Sequence, residues 1–206
     1  MKTFLIVLLI IAGLIGLTVL LVIFLTPWMD RWGSTDSELS ATLPGDELVP
    51  APVAIYNHAI SIHAPASSIY PWLAQLGAKR GGLYSYEKLE NLVGCQMTNA
   101  DRIHEEWQTI EVGDPVEMCA GDFGPPAYKI AQIYSGQALV VGHQKEDGNW
   151  EDSWAFVLLP QSDNTTRLVI RTRTMMVGGL WNIVHPIAFF MERGMLFGIK
   201  SRAELR

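Results

Sequence analysis

The densest group of residues able to do chemistry lies between Asp101 and Trp107. In this segment His104 stands beside Glu105 and Glu106, and a histidine among carboxylates can act as a general base or as a weak metal ligand. The spacing matches no metal-binding pattern, so we predict no metal site and no cofactor. The alternative is a solvated loop or short helix, which the sequence favours. His104 and Glu105 are thus the candidate catalytic residues if the protein is an enzyme.

A second group of residues suits binding rather than catalysis, because it combines aromatic rings with flexible methionines. Trp154 and Phe156 alternate along a predicted strand and therefore share one of its faces. Soft aromatic walls suit an adaptable pocket for a lipid-like or aromatic ligand, whereas the alternative is ordinary core packing. The same group includes three residues of the predicted terminal helix, Phe190, Met191 and Met195.

Alternating and helical spacings predict the elements that position these residues. The chain from Tyr56 to His63 alternates as a half-buried strand does. Two short amphipathic helices follow, one starting at Pro65 and one that Ser85 can cap. Further strand-like runs occupy residues 115–119, 127–134, 138–144, 150–159 and 166–174, separated by turn formers such as GDFGPP at 121–126.

The last predicted elements are an antiparallel strand and a long helix. In the strand, Leu168, Ile170 and Thr172 alternate with arginines 167, 171 and 173. Residues 179–203 then carry apolar side chains at helical spacing, which predicts a terminal helix packed on the sheet. These apolar positions are Leu180, Ile183, Ile187, Phe190, Met191, Met195 and Ile199. Charged residues such as Glu192 and Arg193 argue against a second membrane span.

The N-terminal run from Phe4 to Leu25 holds no charged residue and predicts a membrane-spanning helix. It covers about 33 Å, enough for a hydrocarbon core of about 30 Å. A secretory signal peptide has a shorter apolar core and a small-residue cleavage site, which this run lacks. We therefore expect a single-pass anchor at 1–29, a juxtamembrane linker at 30–54 and one domain at 55–206.

Charge and cysteine content narrow the classes of partner. A net charge of −6 without a basic stripe argues against nucleic acid. Cys95 and Cys119 form a disulfide if the domain lies outside the cytosol, and two buried thiols are the alternative. One basic residue flanks each end of the predicted anchor, Lys2 before it and Arg31 after it, so the count of basic residues gives little preference for either orientation. We expect the domain to be extracytoplasmic.

The element order and four segments resemble a known superfamily. These segments are RWGSTDSELSATLPGDELVP at 31–50, GGLYSYEKLENLVGC at 81–95, NADRIHEEWQTIEVGD at 99–114 and MERGMLFGIK at 191–200. They resemble a membrane-anchored branch of the SRPBCC, or START-like, superfamily. The resemblance implies an α+β helix-grip fold, β-α-α-β(5–6)-α, in which a curved antiparallel sheet grips the long C-terminal helix around a deep apolar cavity.

The resemblance also implies where a ligand would enter. Tyr84 and Tyr86 lie beside the flexible pair Gly81-Gly82 and would line the mouth of the cavity, or else staple the second helix to the sheet. Trp107 completes the candidate ligand-binding residues. We expect a cavity of at least about 300 Å³, as small-molecule sites require.

Three functions remain open from the sequence. The first is a membrane-tethered module that binds a lipid or other hydrophobic small molecule. The second is an accessory subunit of a larger membrane complex, with membrane-protein partners. The third is a cyclase- or dehydratase-like enzyme, which would need its acid or base to face the cavity.

Overall fold

Six antiparallel strands and a long C-terminal helix form the body of the protein in this computed structural model, which describes residues 2–121 and 124–205. The strands are β1 (Ala54–Ile62), β2 (Pro115–Val116), β3 (Tyr128–Tyr134), β4 (Ala138–Gly142), β5 (Asp152–Pro160) and β6 (Thr166–Thr174). The helices are α1 (Lys2–Met29), α2 (Asp36–Ser40), α3 (Ala66–Ala74), α4 (Glu87–Leu92) and α5 (Trp181–Glu204). Two residues of the turn predicted at 121–126, 122 and 123, lie outside the described residues.

The sheet has the order β1-β6-β5-β4-β3-β2. Strands β2 to β6 form a meander, and β1 pairs antiparallel with β6 along its whole length. The predicted α+β order of one strand, two helices, several strands and a terminal helix is confirmed. Strand β2 is shorter than predicted and ends at Val116.

The inner face of the sheet forms the main core with α3 and α5. Trp154, Phe156 and Leu158 of β5 all point into this core, as their alternation predicts. Leu168 and Ile170 of β6 do the same. The main core therefore lies between the sheet and the terminal helix.

The outer face of the sheet is also apolar, and the segment that precedes β1 covers it. Ala155, Val157 and Val169 point outward and pack with Leu43 and Leu48 in a second core cluster. This double coverage explains why β5 is buried on both faces along most of its length. The segment predicted as a linker thus forms part of the domain's packing.

Arginines of β6 bind the covering segment to the sheet. The Arg171 guanidinium is almost fully buried and donates to the backbone oxygens of Glu38, Leu39 and Ala41 and to the Asp46 carboxylate. Arg167 forms a two-pronged pair with the carboxylate of Glu38 at 2.8 Å for both contacts. Arg173 contacts the same segment at Val49 and Pro50. A row of outward-facing arginines therefore fixes the chain between α1 and β1.

The end of α1 is joined directly to the domain. The backbone N–H groups of Asn57 and Ala59 donate to the backbone oxygens of Asp30 and Trp32, at 2.7 and 3.1 Å. The residues just after α1 therefore pair with the outer edge of β1, which leaves no free hinge there. The Phe4–Met29 part of α1 is long and apolar enough to cross a membrane.

Helix α5 packs through a different face from the one predicted. Met195 and Ile199 are buried, together with Phe189, Leu196 and Ala203. The expectation is wrong for the first turns, where Leu180, Ile183, Ile187 and Phe190 are exposed. The prediction assumed a single apolar stripe that packs on the sheet. The first half of α5 has two apolar stripes, one buried and one exposed.

Helix α4 is also rotated relative to the prediction. Leu89 and Leu92 are exposed, while Glu90 is buried. Turn chemistry sets this rotation, because Tyr84 has a φ of 57° and its N–H donates to the Asn99 side chain at 2.7 Å. The Tyr84 backbone crosses α5 at Gly198, where a Cβ would lie 1.9 Å from the Tyr84 oxygen. This contact requires glycine at position 198.

The two cysteines form a disulfide. Cys95 follows α4 and Cys119 follows β2, so the bond joins the α4 region to the strand edge of the sheet. The alternative of two free thiols is therefore wrong.

The arginine row predicts a large stability difference between two basic residues. Arg171→Met should lower the free energy of unfolding by about 3–5 kcal/mol, because it removes the ion pair with the half-buried Asp46 carboxylate and the side-chain donor of three carbonyl oxygens. Lys79→Met is the matched control, since Lys79 is 59% exposed and pairs loosely with Glu117. It should change stability by at most about 1 kcal/mol. Urea unfolding of the full chain in detergent measures both, and equal losses would contradict the role of Arg171.

Candidate functional site

A cavity lies between the inner face of the sheet and α5. Strands β3 and β5 contribute Tyr128 and Trp154, and α5 contributes Met191 and Met195. Leu83 and Met118 close another side. The walls are mostly apolar and include aromatic rings and flexible thioethers, which suit a hydrophobic ligand.

The volume of this cavity is about 260 Å³. This volume is slightly below the expected minimum of about 300 Å³, at which small-molecule sites usually start. The cavity is not isolated, however, since a groove of about 960 Å³ lies against it. Tyr56, Trp181, His185 and Ile187 line both spaces. A ligand longer than the cavity therefore has room to extend toward the groove.

One carboxyl group in the cavity wall has an unpaired oxygen. Glu90 of α4 is only 7% exposed, and its Oε2 has no hydrogen-bond partner among the residues that the structure describes. Burial, reinforced by the nearby Glu87 carboxylate, raises the pKa of Glu90 to about 7. A buried titrating group with unused hydrogen-bonding capacity is typical of a ligand-recognition or acid–base site.

A second polar group of the cavity is an ion pair that joins three elements. The His58 ring, on the inner face of β1, donates through Nδ1 to Glu192 of α5. Its Nε2 donates to the Met29 backbone oxygen at the end of α1, at 2.8 Å. The other Glu192 oxygen accepts from the Trp154 indole at 2.9 Å. Helix α1, the sheet and α5 therefore meet at one histidine.

The surroundings of His58 favour its charged form. Burial alone would lower the pKa of His58, but the charge and hydrogen bond of Glu192, with help from the Met29 oxygen, raise the pKa above the usual histidine value. Both ring nitrogens face acceptors, which only a protonated ring can satisfy. The pair is thus better suited to holding the three elements together than to taking a proton from a ligand.

The structure divides the predicted ligand-binding residues into two sets. Trp154, Met191 and Met195 line the cavity. Phe156 lies behind Trp154 in the core, with ring centroids 4.6 Å apart. Phe190 is 44% exposed and stacks on Tyr86 outside the cavity.

The remaining candidates lie farther from the cavity. Tyr84 is buried in the core, where its hydroxyl donates to the Trp72 backbone oxygen at 3.0 Å. Trp107 lies in a short 3₁₀ turn and stacks on His104. Glu105, in the same turn, is exposed. This placement matches the alternative reading of the 101–107 segment as a surface turn, and it separates His104 and Glu105 from the cavity lining.

Sequence reasoning missed His58, Glu192 and Glu90, although two of them left a signal. His58 falls between Tyr56 and Ile60 on the inward side of an alternating strand, which marks a polar residue on an apolar face. Glu192 lies three residues after Phe189 and three before Met195, so helical spacing places it on the buried side of α5. Glu90 gave no such signal, because the apolar spacing of its helix indicates the opposite face.

Comparison with known proteins gives only distant likenesses. No known family profile matches the chain, and no curated protein matches it. An HSP90 activator from Plasmodium falciparum is similar at 10% identity, over 71% of this chain and 94% of that one, with a TM-score of 0.44. A protein from Arthrobacter aurescens is similar at 12% identity, over 82% and 93%, with a TM-score of 0.44. Norcoclaurine synthase from Thalictrum flavum is similar at 16% identity, over 79% and 93%, with a TM-score of 0.40.

These similarities carry no conclusion about what the cavity binds. At such TM-scores and identities the neighbouring structures differ from this chain in much of their detail.

The ion pair of His58 predicts a pH dependence of stability. Because the pKa of His58 is raised in the folded protein, the pair contributes fully below the unfolded histidine value of about 6.5, and this contribution is lost as pH rises through the folded pKa. His58→Gln should therefore flatten the decline of melting temperature above pH 6.5. A residual slope remains, because Asp152 raises the pKa of His143 and burial raises the pKa of Glu90 to about 7.

The matched variant for this test removes the other partner. Glu192→Gln should flatten the slope as much as His58→Gln, and the double variant should add little, because all three lack the same interaction. Thermal melts of the full chain between pH 6 and 9 measure the slopes. Additive effects of the two single substitutions would contradict the pairing.

Proposed function

We propose that this protein is a membrane-tethered module that holds a lipid or other hydrophobic small molecule in the cavity between the sheet and α5. The observation that carries the proposal is the apolar cavity walled by Trp154, Tyr128, Met191 and Met195. The resemblance of four sequence segments to SRPBCC proteins supports the same function. Helix α1 would keep the cavity beside the bilayer, where hydrophobic ligands are concentrated.

Glu90 indicates the polarity of the ligand. A buried polar atom without a partner costs about 1–3 kcal/mol, and a ligand group that pairs with it recovers that cost. At its pKa of about 7 the Glu90 carboxyl can accept from a hydroxyl or amine of the ligand. The proposed ligand is therefore amphipathic, with an apolar body and one hydrogen-bond donor.

We further infer that the domain lies outside the cytoplasm. The Cys95–Cys119 disulfide supports this orientation, since disulfides persist in oxidising compartments. Lys145, exposed in the turn between β4 and β5, offers a test. Trypsin added to intact cells should cut there, and Lys145→Gln should remove that fragment. Cleavage only after permeabilisation would place the domain in the cytoplasm.

A second candidate function is that of an accessory subunit in a membrane complex. The exposed apolar end of α4 favours it, because Leu92 is 83% exposed and Val93, the residue that follows the helix, is 62% exposed. Side chains of this kind often mark a contact with another protein. Extraction in mild detergent followed by protein mass spectrometry should show a stoichiometric partner if this function is correct.

Filling the cavity should remove the ligand without unfolding the domain. Met191→Trp places a larger side chain in the cavity wall, so lipid that co-purifies with the wild-type chain should be lost. Phe197→Trp is the matched control, because Phe197 lies on the same helix and packs against Trp32 instead. Mass spectrometry of organic extracts measures both variants. Equal lipid retention in the two would remove the cavity from the binding site.

Replacing Glu90 should separate stability from binding. Glu90→Leu removes an unpaired buried carboxyl, so the free energy of unfolding of the ligand-free protein should rise by about 1–3 kcal/mol. The same change removes the ligand's partner, so lipid retention should fall by about tenfold or more, as for a hydrogen bond to a charged group.

The control for this prediction is Glu105→Leu, an exposed carboxylate in the surface turn. It should leave both quantities unchanged. A Glu90→Leu protein that is less stable and retains its lipid would show that Glu90 is a structural residue.

A further inference from the structure

A large groove separates α1 from the first half of α5. One wall consists of α1 side chains between Thr18 and Pro27. The other wall contains Val177, Ile183 and Ile187. At one end the groove is polar, since Asp30 faces the His185 ring at 3.1 Å. Toward Thr18 its walls become almost entirely apolar.

The length of the anchor determines the level in the bilayer at which the groove lies. The apolar part of α1 runs from Phe4 to Met29, and none of its most hydrophobic window is buried by the rest of the chain. About 20 helical residues cross a hydrocarbon core, so counting from Phe4 the core reaches about residue 23. The wall from Thr18 to Ile23 therefore lies at the depth of the acyl chains, and Asp30 lies near the polar boundary.

The first half of α5 shares this depth and has a matching surface. Leu180, Ile183 and Ile187 follow helical spacing and are 73%, 64% and 59% exposed. From Met175 to Met191 the sequence has no Asp, Glu, Lys or Arg. A helix end that is apolar on its exposed side and uncharged is suited to hydrocarbon rather than to water. Trp28, two residues before Asp30, lies where an interfacial aromatic residue is expected.

We propose that the groove between α1 and α5 is filled by an acyl chain of a bilayer lipid. The groove is continuous with the acyl-chain region, because one of its walls is the membrane-facing surface of the anchor. The first turns of α5 then lie within the membrane although α5 does not cross it. Because Tyr56, Trp181, His185 and Ile187 border both spaces, the cavity opens toward the bilayer. The lipid-filled groove rests on the membrane tethering of the proposed function, and this last step rests on its ligand cavity as well.

Site-directed spin labelling of the full chain in phosphatidylcholine vesicles tests the occupant. The native cysteines are joined to each other, so a nitroxide reacts only with an added cysteine. Labels at Ile183→Cys and Ile187→Cys should collide often with dissolved oxygen and rarely with a water-soluble nickel chelate. Ser201→Cys, exposed at the far end of the same helix, is the control and should show the reverse.

Two results would overturn the proposal. A label at position 183 that meets the nickel chelate as often as the label at position 201 would show a groove open to water. A label shielded from both reagents would show that protein, such as a second copy of this chain, covers the groove.

A photoactivatable phosphatidylcholine with a diazirine near the end of one acyl chain separates the groove from the cavity. Crosslinks to the peptide around Ile183 support the proposal, and their absence overturns it. Met191→Trp should leave these crosslinks in place while removing any at Met195. Crosslinks confined to the groove in the wild-type chain would support the lipid-filled groove and count against the proposed ligand cavity.

Discussion

A six-stranded sheet with two apolar faces must be covered on both sides, and this requirement arranges the rest of the molecule. The inner face is covered by α3 and α5, as the strand alternation indicates. The outer face is covered by the segment before β1, whose Leu43 and Leu48 supply the apolar contact. That segment carries too few apolar residues to pack by itself, so Arg171 and the neighbouring arginines supply the remaining attraction.

The cavity contains polar groups of two kinds, those that find partners within the chain and one that does not. His58 and Glu192 satisfy each other and also bond Met29 and Trp154, so their charges stabilise the junction of three elements. Glu90 has no such arrangement, and its raised pKa reflects a group that folding leaves incomplete. Two carboxylates in one cavity therefore have different roles, since one has its partners within the chain and the other lacks them.

Much of the fold could be predicted from sequence because period-two alternation is a local property. It correctly assigned the faces of β5 and β6, where Trp154 and Leu168 point inward. Helical spacing did not assign the face of α5, because the first half of that helix has apolar residues on two sides and only one of these sides packs in the core. The rotation of α4 depends on the left-handed turn at Tyr84 and on distant Asn99, which no local pattern encodes.

The candidate site was less predictable, because it depends on contacts between distant residues that no local pattern encodes. Aromatic and methionine residues were expected around a cavity, and Trp154, Met191 and Met195 do lie there. Whether a given aromatic residue lines a cavity or fills a core depends on a few ångströms of packing, which separates Trp154 from Phe156. The polar partners of the cavity come from β1, α4 and α5, and only the folded chain brings them together.

The pairing of residues 30–32 with β1 has a consequence for how such a protein could meet its ligand. With Asp30 and Trp32 hydrogen-bonded to the strand edge, the domain cannot swing on a flexible stalk. In the proposed function, such a domain would neither reach a facing membrane nor leave its own, so it would not work as a shuttle. Its encounters would be limited to molecules that diffuse laterally in one leaflet. The encounter rate would then depend on the mole fraction of ligand in that leaflet and not on its concentration in water.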